Sequence, residues 1–191
     1  MYLKILHMII GLTVLLGAAS AAGHFTPALD VDTYIDSANA NKSFSDEKIL
    51  WATSSNGTPI NETYLGFVSP FIGADVFSPN DVASATLKIH VAKVEKPGKV
   101  TAYYLHGETL ESLTWIDRPE YDRNTNATIA VSKEGDYTLD ATDIVKKAAE
   151  TCTEGCGMSV VLVADDNASI GFSSSKDSGA NKAELSYNTP D

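Results

Sequence analysis

The stretch ATLKIHVAKVEKPGKVTAYYL, residues 85–105, decides the fold. Over its first ten positions apolar and polar side chains alternate. Ala85, Leu87, Ile89 and Val91 fall on one side, and Thr86, Lys88 and His90 on the other. A period of two belongs to a strand with one buried face, because successive side chains of extended backbone point in opposite directions. EKPGK (95–99) then supplies a Pro-Gly turn signal, and VTAYYL (100–105) follows with the β-branched and aromatic residues that strands favour. The pattern predicts a hairpin joined at Pro97-Gly98.

The same rhythm runs through the flanking chain. VDTYID (31–36) sets Val31, Thr33 and Ile35 on one side, and ETYLGFVS (62–69) mixes apolar and polar residues over the same short range. MSVVLVA (158–164) reads as a continuous apolar strand, and SIGF (169–172) and AELSY (183–187) as the last two. DATDIVKKAAE (140–150) departs from the period: Ile144, Val145, Ala148 and Ala149 recur at helical spacing, with Asp140 or Thr142 able to cap. Many short strands between turn signals and one short helix predict an all-β fold, an antiparallel β-sandwich of jelly-roll type. No internal repeat or linker divides the chain, so residues 24–191 are expected to form a single domain.

Ahead of them stands MYLKILHMIIGLTVLLGAASAAG, residues 1–23. Lys4 precedes an apolar run, Ile5 to Leu16, that is too short to span a bilayer comfortably, and small residues follow from Ala18 to Gly23. This is the pattern of a signal peptide, with cleavage after Ala21 or Ala22 preferred over Gly23. The product is expected to be secreted, and extracellular or cell-wall associated. The formal net charge is −11, and loss of the leader removes Lys4 but no acid. So acidic a surface excludes nucleic acid and anionic membranes as partners.

Cys152 and Cys156 are separated by three residues, of which Glu154 and Gly155 favour a turn. In an oxidising compartment this spacing predicts a disulfide; it is not the two-residue gap of redox motifs, and too few other ligands lie near for a metal. Asn-x-Ser/Thr occurs at Asn41, Asn56, Asn61, Asn126 and Asn167, which are therefore N-glycosylation candidates on loops and strand edges.

The succession DTYID, YLGFVSPF, SATLKIHVAKV, GKVTAYYL, LTWIDRPEY, YTLDATDIV and IGFSSSKD resembles the DNRLRE domain family from about Asp32 to Tyr187. The most specific pieces are SATLKIHV, the segment Thr114 to Pro119, and Leu139 to Val145. The family consists of secreted β-sandwich modules similar to carbohydrate-binding modules. The resemblance implies non-catalytic glycan binding or a structural role in a cell wall or extracellular matrix, with alginate among the ligands. Alginate is a polyanion, and the charge of this chain would repel it unless Lys88, Lys93, Lys96 and Lys99, or Arg118 and Arg123, clustered, or calcium bridged. A neutral glucan is therefore the expected polysaccharide partner.

Sugar binding needs flat apolar rings to stack on pyranose faces and polar groups for the hydroxyls. Trp51, Tyr64, Tyr103, Tyr104, Trp115 and Tyr121 are the available rings. Trp115, flanked by Leu113 and Ile116, reads as core, whereas Tyr121, in PEYDRNTN (119–126) beside Arg118, reads as exposed. Tyr121, Arg118, Trp51 and Tyr64 are the ligand-binding candidates. No catalytic residue is expected and no cofactor is required, although Asp30, Asp32, Asp36, Asp165 and Asp166 could hold a structural calcium ion. One minor alternative is a copper-dependent polysaccharide oxygenase. Cleavage after Gly23 would free the amino group of His24 for copper, with His90 or His106 as the second ligand and Tyr103 or Tyr104 on the axis.

Overall fold

The structure, a computed structural model, describes residues 22–68, 70–71, 73–107, 110–151, 157–178 and 181–191. Residues 1–21, most of the expected signal peptide, and both cysteines of the expected disulfide, Cys152 and Cys156, lie outside the described residues. The strands are β1 (His24–Phe25), β2 (Leu29–Asp36), β3 (Ile49–Ser55), β4 (Thr58–Phe67), β5 (Ser84–Lys96), β6 (Gly98–His106), β7 (Asp122–Val131), β8 (Gly135–Asp140), β9 (Met158–Ala164), β10 (Ser169–Ser173) and β11 (Glu184–Asn188). Helix α1 (Thr142–Thr151) lies between β8 and β9. The ladders are antiparallel and join in the order β1-β11-β5-β10-β3-β4-β9-β6-β7, with β2 on β4 and β8 on β5. The sheet curls, so that β5, β10, β3 and β11 share one apolar cluster with β4, β9 and β6. The expected all-β, sandwich-like architecture with one short helix is what forms.

The hairpin expected at residues 85–105 is not. β5 takes β11 along Ser84 to Lys88, β8 along Thr86 to Val91 and β10 along Val91 to Lys96, so both of its edges are occupied. β6 instead pairs with β7 and β9 in the other half of the sheet. Pro97-Gly98 is thus a corner between two layers. Gly98 fits it because its backbone passes close to Ala168, where an added Cβ would come within 2.5 Å of the Ala168 Cβ. A Pro-Gly signal says that the chain turns, not which strand it will meet next.

A tight hairpin forms elsewhere, between β3 and β4. Asn56 (φ 51°) and Gly57 (φ 74°) both adopt the left-handed region, as the favoured two-residue turn requires. The sheet also begins earlier than expected: His24 and Phe25 already pair with Asn188 and Tyr187.

Strand β9 explains how the two layers and a third covering meet. Val160, Leu162 and Ala164 point into the main cluster, while Val161 and Val163 join a second cluster with Ile35, Tyr64, Leu105, Leu110 and Leu113. That second cluster sits under the connection between β6 and β7. A strand buried on both faces must be apolar throughout, which is why MSVVLVA shows no alternation. Helix α1 buries Ile144, Val145, Ala148 and Ala149, as its spacing predicts. Asp140 accepts from the Thr142 amide at 3.0 Å, and the Thr142 hydroxyl takes the Ala85 amide at 3.0 Å, tying the helix start to β5.

Candidate functional site

An open cleft of about 800 Å³ lies on the outer side of the β4 layer, between the β3–β4 turn and the chain running into β7. Its size falls in the range of small-ligand sites. The connection ahead of β7 is pinned there by local bonds. The Leu113 amide reaches the Leu110 carbonyl at 3.3 Å, the Thr114 hydroxyl donates to Asp117 at 2.8 Å, and the Ile116 amide donates to the Ala40 carbonyl at 3.2 Å. Asp122 then accepts from the Asn124 amide and the Thr125 hydroxyl, which starts β7 at a fixed angle.

Two cation-capped rings line the cleft. Arg118 lies 4.2 Å from the Trp115 ring centroid and donates Nη1 to the Trp115 carbonyl at 2.7 Å. Arg123 lies 5.1 Å from the centroid of Tyr121, whose ring packs 5.0 Å from that of Tyr103. Guanidinium over an aromatic face is a favourable pairing that also holds the donors in place. Ile116, 62% exposed, presents further apolar surface beside them.

Beneath the rings lies Glu62, only 3% exposed. The Tyr64 hydroxyl donates to its Oε2 at 2.9 Å and the Tyr121 hydroxyl to its Oε1 at 3.4 Å. Burial pushes the Glu62 carboxyl above the usual glutamate range, against the opposing pull of Tyr64, Arg118, Tyr121 and Arg123. Burial, and then the charge of Glu62, pushes the Tyr121 hydroxyl up to about 12 and raises Tyr64 as well. The lining sets Arg118 and Arg123 against Glu62, Glu120 and Asp122, so charge alone does not make it a polyanion site.

The four ligand-binding candidates part company here. Tyr121 and Arg118 meet in the cleft, but Tyr121 is half-buried against Tyr103 rather than free. Tyr64 is wholly buried and cannot stack on a sugar; it supports Glu62 from below. Trp51 is absent from the cleft lining and sits on β3 with Lys93 over its ring at 5.3 Å. Trp115, expected in the core, is only half-buried and lines the cleft. Glu62 escaped sequence reasoning, which named Arg123 only as a cation that could cluster with Arg118. Glu62 sits at a position that an amphipathic strand would leave in water, and nothing local announces that a distant connection covers it.

The histidines are held apart. His24 Nδ1 bonds Asn188 at 2.8 Å, His90 Nδ1 bonds Asp136 at 2.8 Å, and His106 Nδ1 meets the Tyr104 hydroxyl at 3.2 Å. Gly23 is built into the sheet, its amide donating to the Thr189 hydroxyl and its carbonyl accepting from the Thr189 amide. Among the described residues no three of His, Cys, Asp and Glu gather as a metal-ligand set. Of the acids proposed for calcium, Asp32 is buried and takes the hydroxyls of Ser174 and Ser175 and the Ser175 amide, while Asp36 caps the turn at Ser37–Asn39. Among the sequons Asn41, Asn56, Asn126 and Asn167 are exposed, and Asn61 is half-buried, donating to the Ile35 carbonyl at 3.4 Å.

An all-β sandwich with an aromatic, arginine-capped cleft on its surface is the build of a carbohydrate-binding module. Residues 24–189 match the family model of carbohydrate-binding module family 96. The chain belongs to that family. The carbohydrate-binding likeness expected from the sequence therefore holds, under this family's description. No curated protein matches the chain. No helix among the described residues is long and apolar enough to cross a membrane.

Proposed function

We propose that the protein is a secreted, non-catalytic module that holds a cell-wall or extracellular polysaccharide in the cleft around Trp115, Arg118, Tyr121 and Arg123, and that the polysaccharide is a neutral glucan. The observation that carries this reading is the pair of guanidinium-capped rings set over a buried, hydrogen-bonded carboxylate. The rings hold the two guanidinium groups at the cleft wall, where they donate to sugar hydroxyls. The ring edges and exposed Ile116 offer apolar contact to pyranose carbons, and the balanced lining charge supports a neutral chain over a polyanion. The bonds of Gly23 support a mature chain that keeps this residue, with His24 in peptide linkage and its amino group unavailable to copper.

Affinity electrophoresis tests the proposal. Migration should be retarded in gels containing hydroxyethylcellulose or a mixed-linkage glucan, and the retardation should weaken about tenfold in Arg118→Ala and in Arg123→Ala, whose folding is checked by thermal melting. Retardation by alginate alone would reverse the ligand class. Unchanged migration in every glycan would move the assignment to a structural wall or matrix role.

A further inference from the structure

We propose that the outer face of β3 and β10 around Trp51 is a second carbohydrate-contact surface, separate from the cleft, which takes a pyranose unit of the same polysaccharide; it rests on the reading just given. Trp51 points outward, since its neighbours Leu50 and Ala52 are wholly buried in the main cluster. Its register partner on β10 is Gly171. The indole lies across that glycine: a Cβ added to Gly171 would sit 3.3 Å from Trp51 Cη2 and only 2.7 Å from Ile49 Cγ2. A residue with a side chain there would lift or displace the ring. The ring is laid on backbone and left partly exposed, which keeps part of its apolar surface in contact with water.

Its border is polar and organised. Lys93 Nζ stands over the ring, 5.3 Å from its centroid, and donates to Glu95 Oε1 at 2.9 Å, so that a sugar would meet the indole edge and the ammonium together. The Ser169 hydroxyl donates to Glu95 Oε2 at 3.2 Å and lies 3.2 Å from the Thr53 hydroxyl. An ammonium over the ring is thus joined by a hydrogen bond to an exposed carboxylate, which the buried Ser169 hydroxyl holds in place beside Thr53. Lys93 holds the Glu95 carboxyl below the usual glutamate range, so it stays an acceptor in mildly acidic water. A pyranose presents a matching pair of surfaces, an apolar C–H face and an edge of hydroxyls. None of Ile49, Trp51, Thr53, Lys93, Glu95 and Ser169 lines the cleft. Two contacts on one domain make the second binding event intramolecular when the ligand is a long chain, which multiplies retention on polymer without tightening either contact.

The two tryptophans of the chain fall one to each surface, so each carries its own fluorescent reporter. In Trp115→Phe, titration with cellohexaose should change the remaining Trp51 emission saturably; in Trp51→Phe the response should come from Trp115. Calorimetry should count two cellohexaose molecules on the wild type and one on Trp51→Ala, whose retention on insoluble glucan falls about tenfold or more. If Trp51→Ala unfolds, Lys93→Ala keeps the ring and should shift the midpoint of the Trp51 titration alone. A Trp51 signal that stays flat while Trp115 responds, with one ligand bound, overturns the second surface and leaves the cleft standing. If both tryptophans stay silent, and glucan, chitin and alginate all fail to retain the protein, both readings fall together.

Discussion

The two faces of one layer, β4-β9-β6, make an instructive pair. On the inner face Leu65, Phe67, Val160, Leu162, Val100 and Ala102 meet the opposite half of the sheet, and the packing is apolar. On the outer face the alternate residues of the same strands meet a connection instead of a sheet, and the cluster there admits Glu62, Tyr64, Tyr103 and Tyr121 with their polar ends. The inner face spends its burial on stability. The outer face, thinly covered, keeps buried polar groups next to solvent, where a ligand can reach the rings above them. A sheet layer can therefore hold the fold with one side and build a site with the other.

The sharpest way to break this contrast is on the inner face. Leu162→Ala should lower unfolding free energy by about 2–5 kcal/mol, read from urea denaturation, with glucan retardation retained by whatever fraction stays folded. A loss below about 1 kcal/mol would mean that the inner face is not the load-carrying one. On the outer face Tyr64→Phe keeps the ring and removes one donor from buried Glu62, which should cost about 1–3 kcal/mol and raise the Glu62 carboxyl further.

Glu62→Gln sharpens the comparison through pH. The folded carboxyl titrates above the ordinary value of 4.5, so the native state holds that proton more tightly than the unfolded chain. The stability associated with it is complete below that ordinary value and is lost as pH rises through the raised folded value. Subtracting the denaturation profile of Glu62→Gln from that of the wild type between pH 4 and 8 should isolate a falling component. A flat or rising difference would mean that Arg118 and Arg123 outweigh burial. The smallest stability effect belongs to Arg118→Ala, within about 0.5 kcal/mol because the side chain is exposed, yet it should weaken glucan retardation about tenfold.

The sequence carried the strands because alternation is a local property: SATLKIHV, MSVVLVA and DATDIVKKAAE each behave as their own side chains dictate. It did not carry the partners of those strands. Nothing within residues 85–105 reveals that β5 will be flanked by β8, β10 and β11, all more than thirty positions downstream, and so the local hairpin was the natural expectation. The Asn56-Gly57 turn was legible on its own terms, but its asparagine also begins a sequon and was read only as that. Arg118 and Tyr121 were legible as neighbours in one cleft because they adjoin in sequence. Trp115 was misjudged since its apolar neighbours diverge, Leu113 inward and Ile116 into solvent. Glu62 stayed hidden because its burial is made by residues fifty positions away.

The interleaving of distant strands has a consequence in time. β10 lies between β3 and β5, and β11 lies between β1 and β5, so segments near the C-terminus join strands β1, β3 and β5 from the first half of the chain. Until Ser169–Ser173 is available, β3 and β5 lack the strand that joins them, and the main apolar cluster is open along one side. Closing such long loops is slow, on the order of milliseconds to seconds for sheets of this kind. A chain whose last strands are still within the ribosome therefore lacks the joined layer, and the main cluster can close only once those strands have come through.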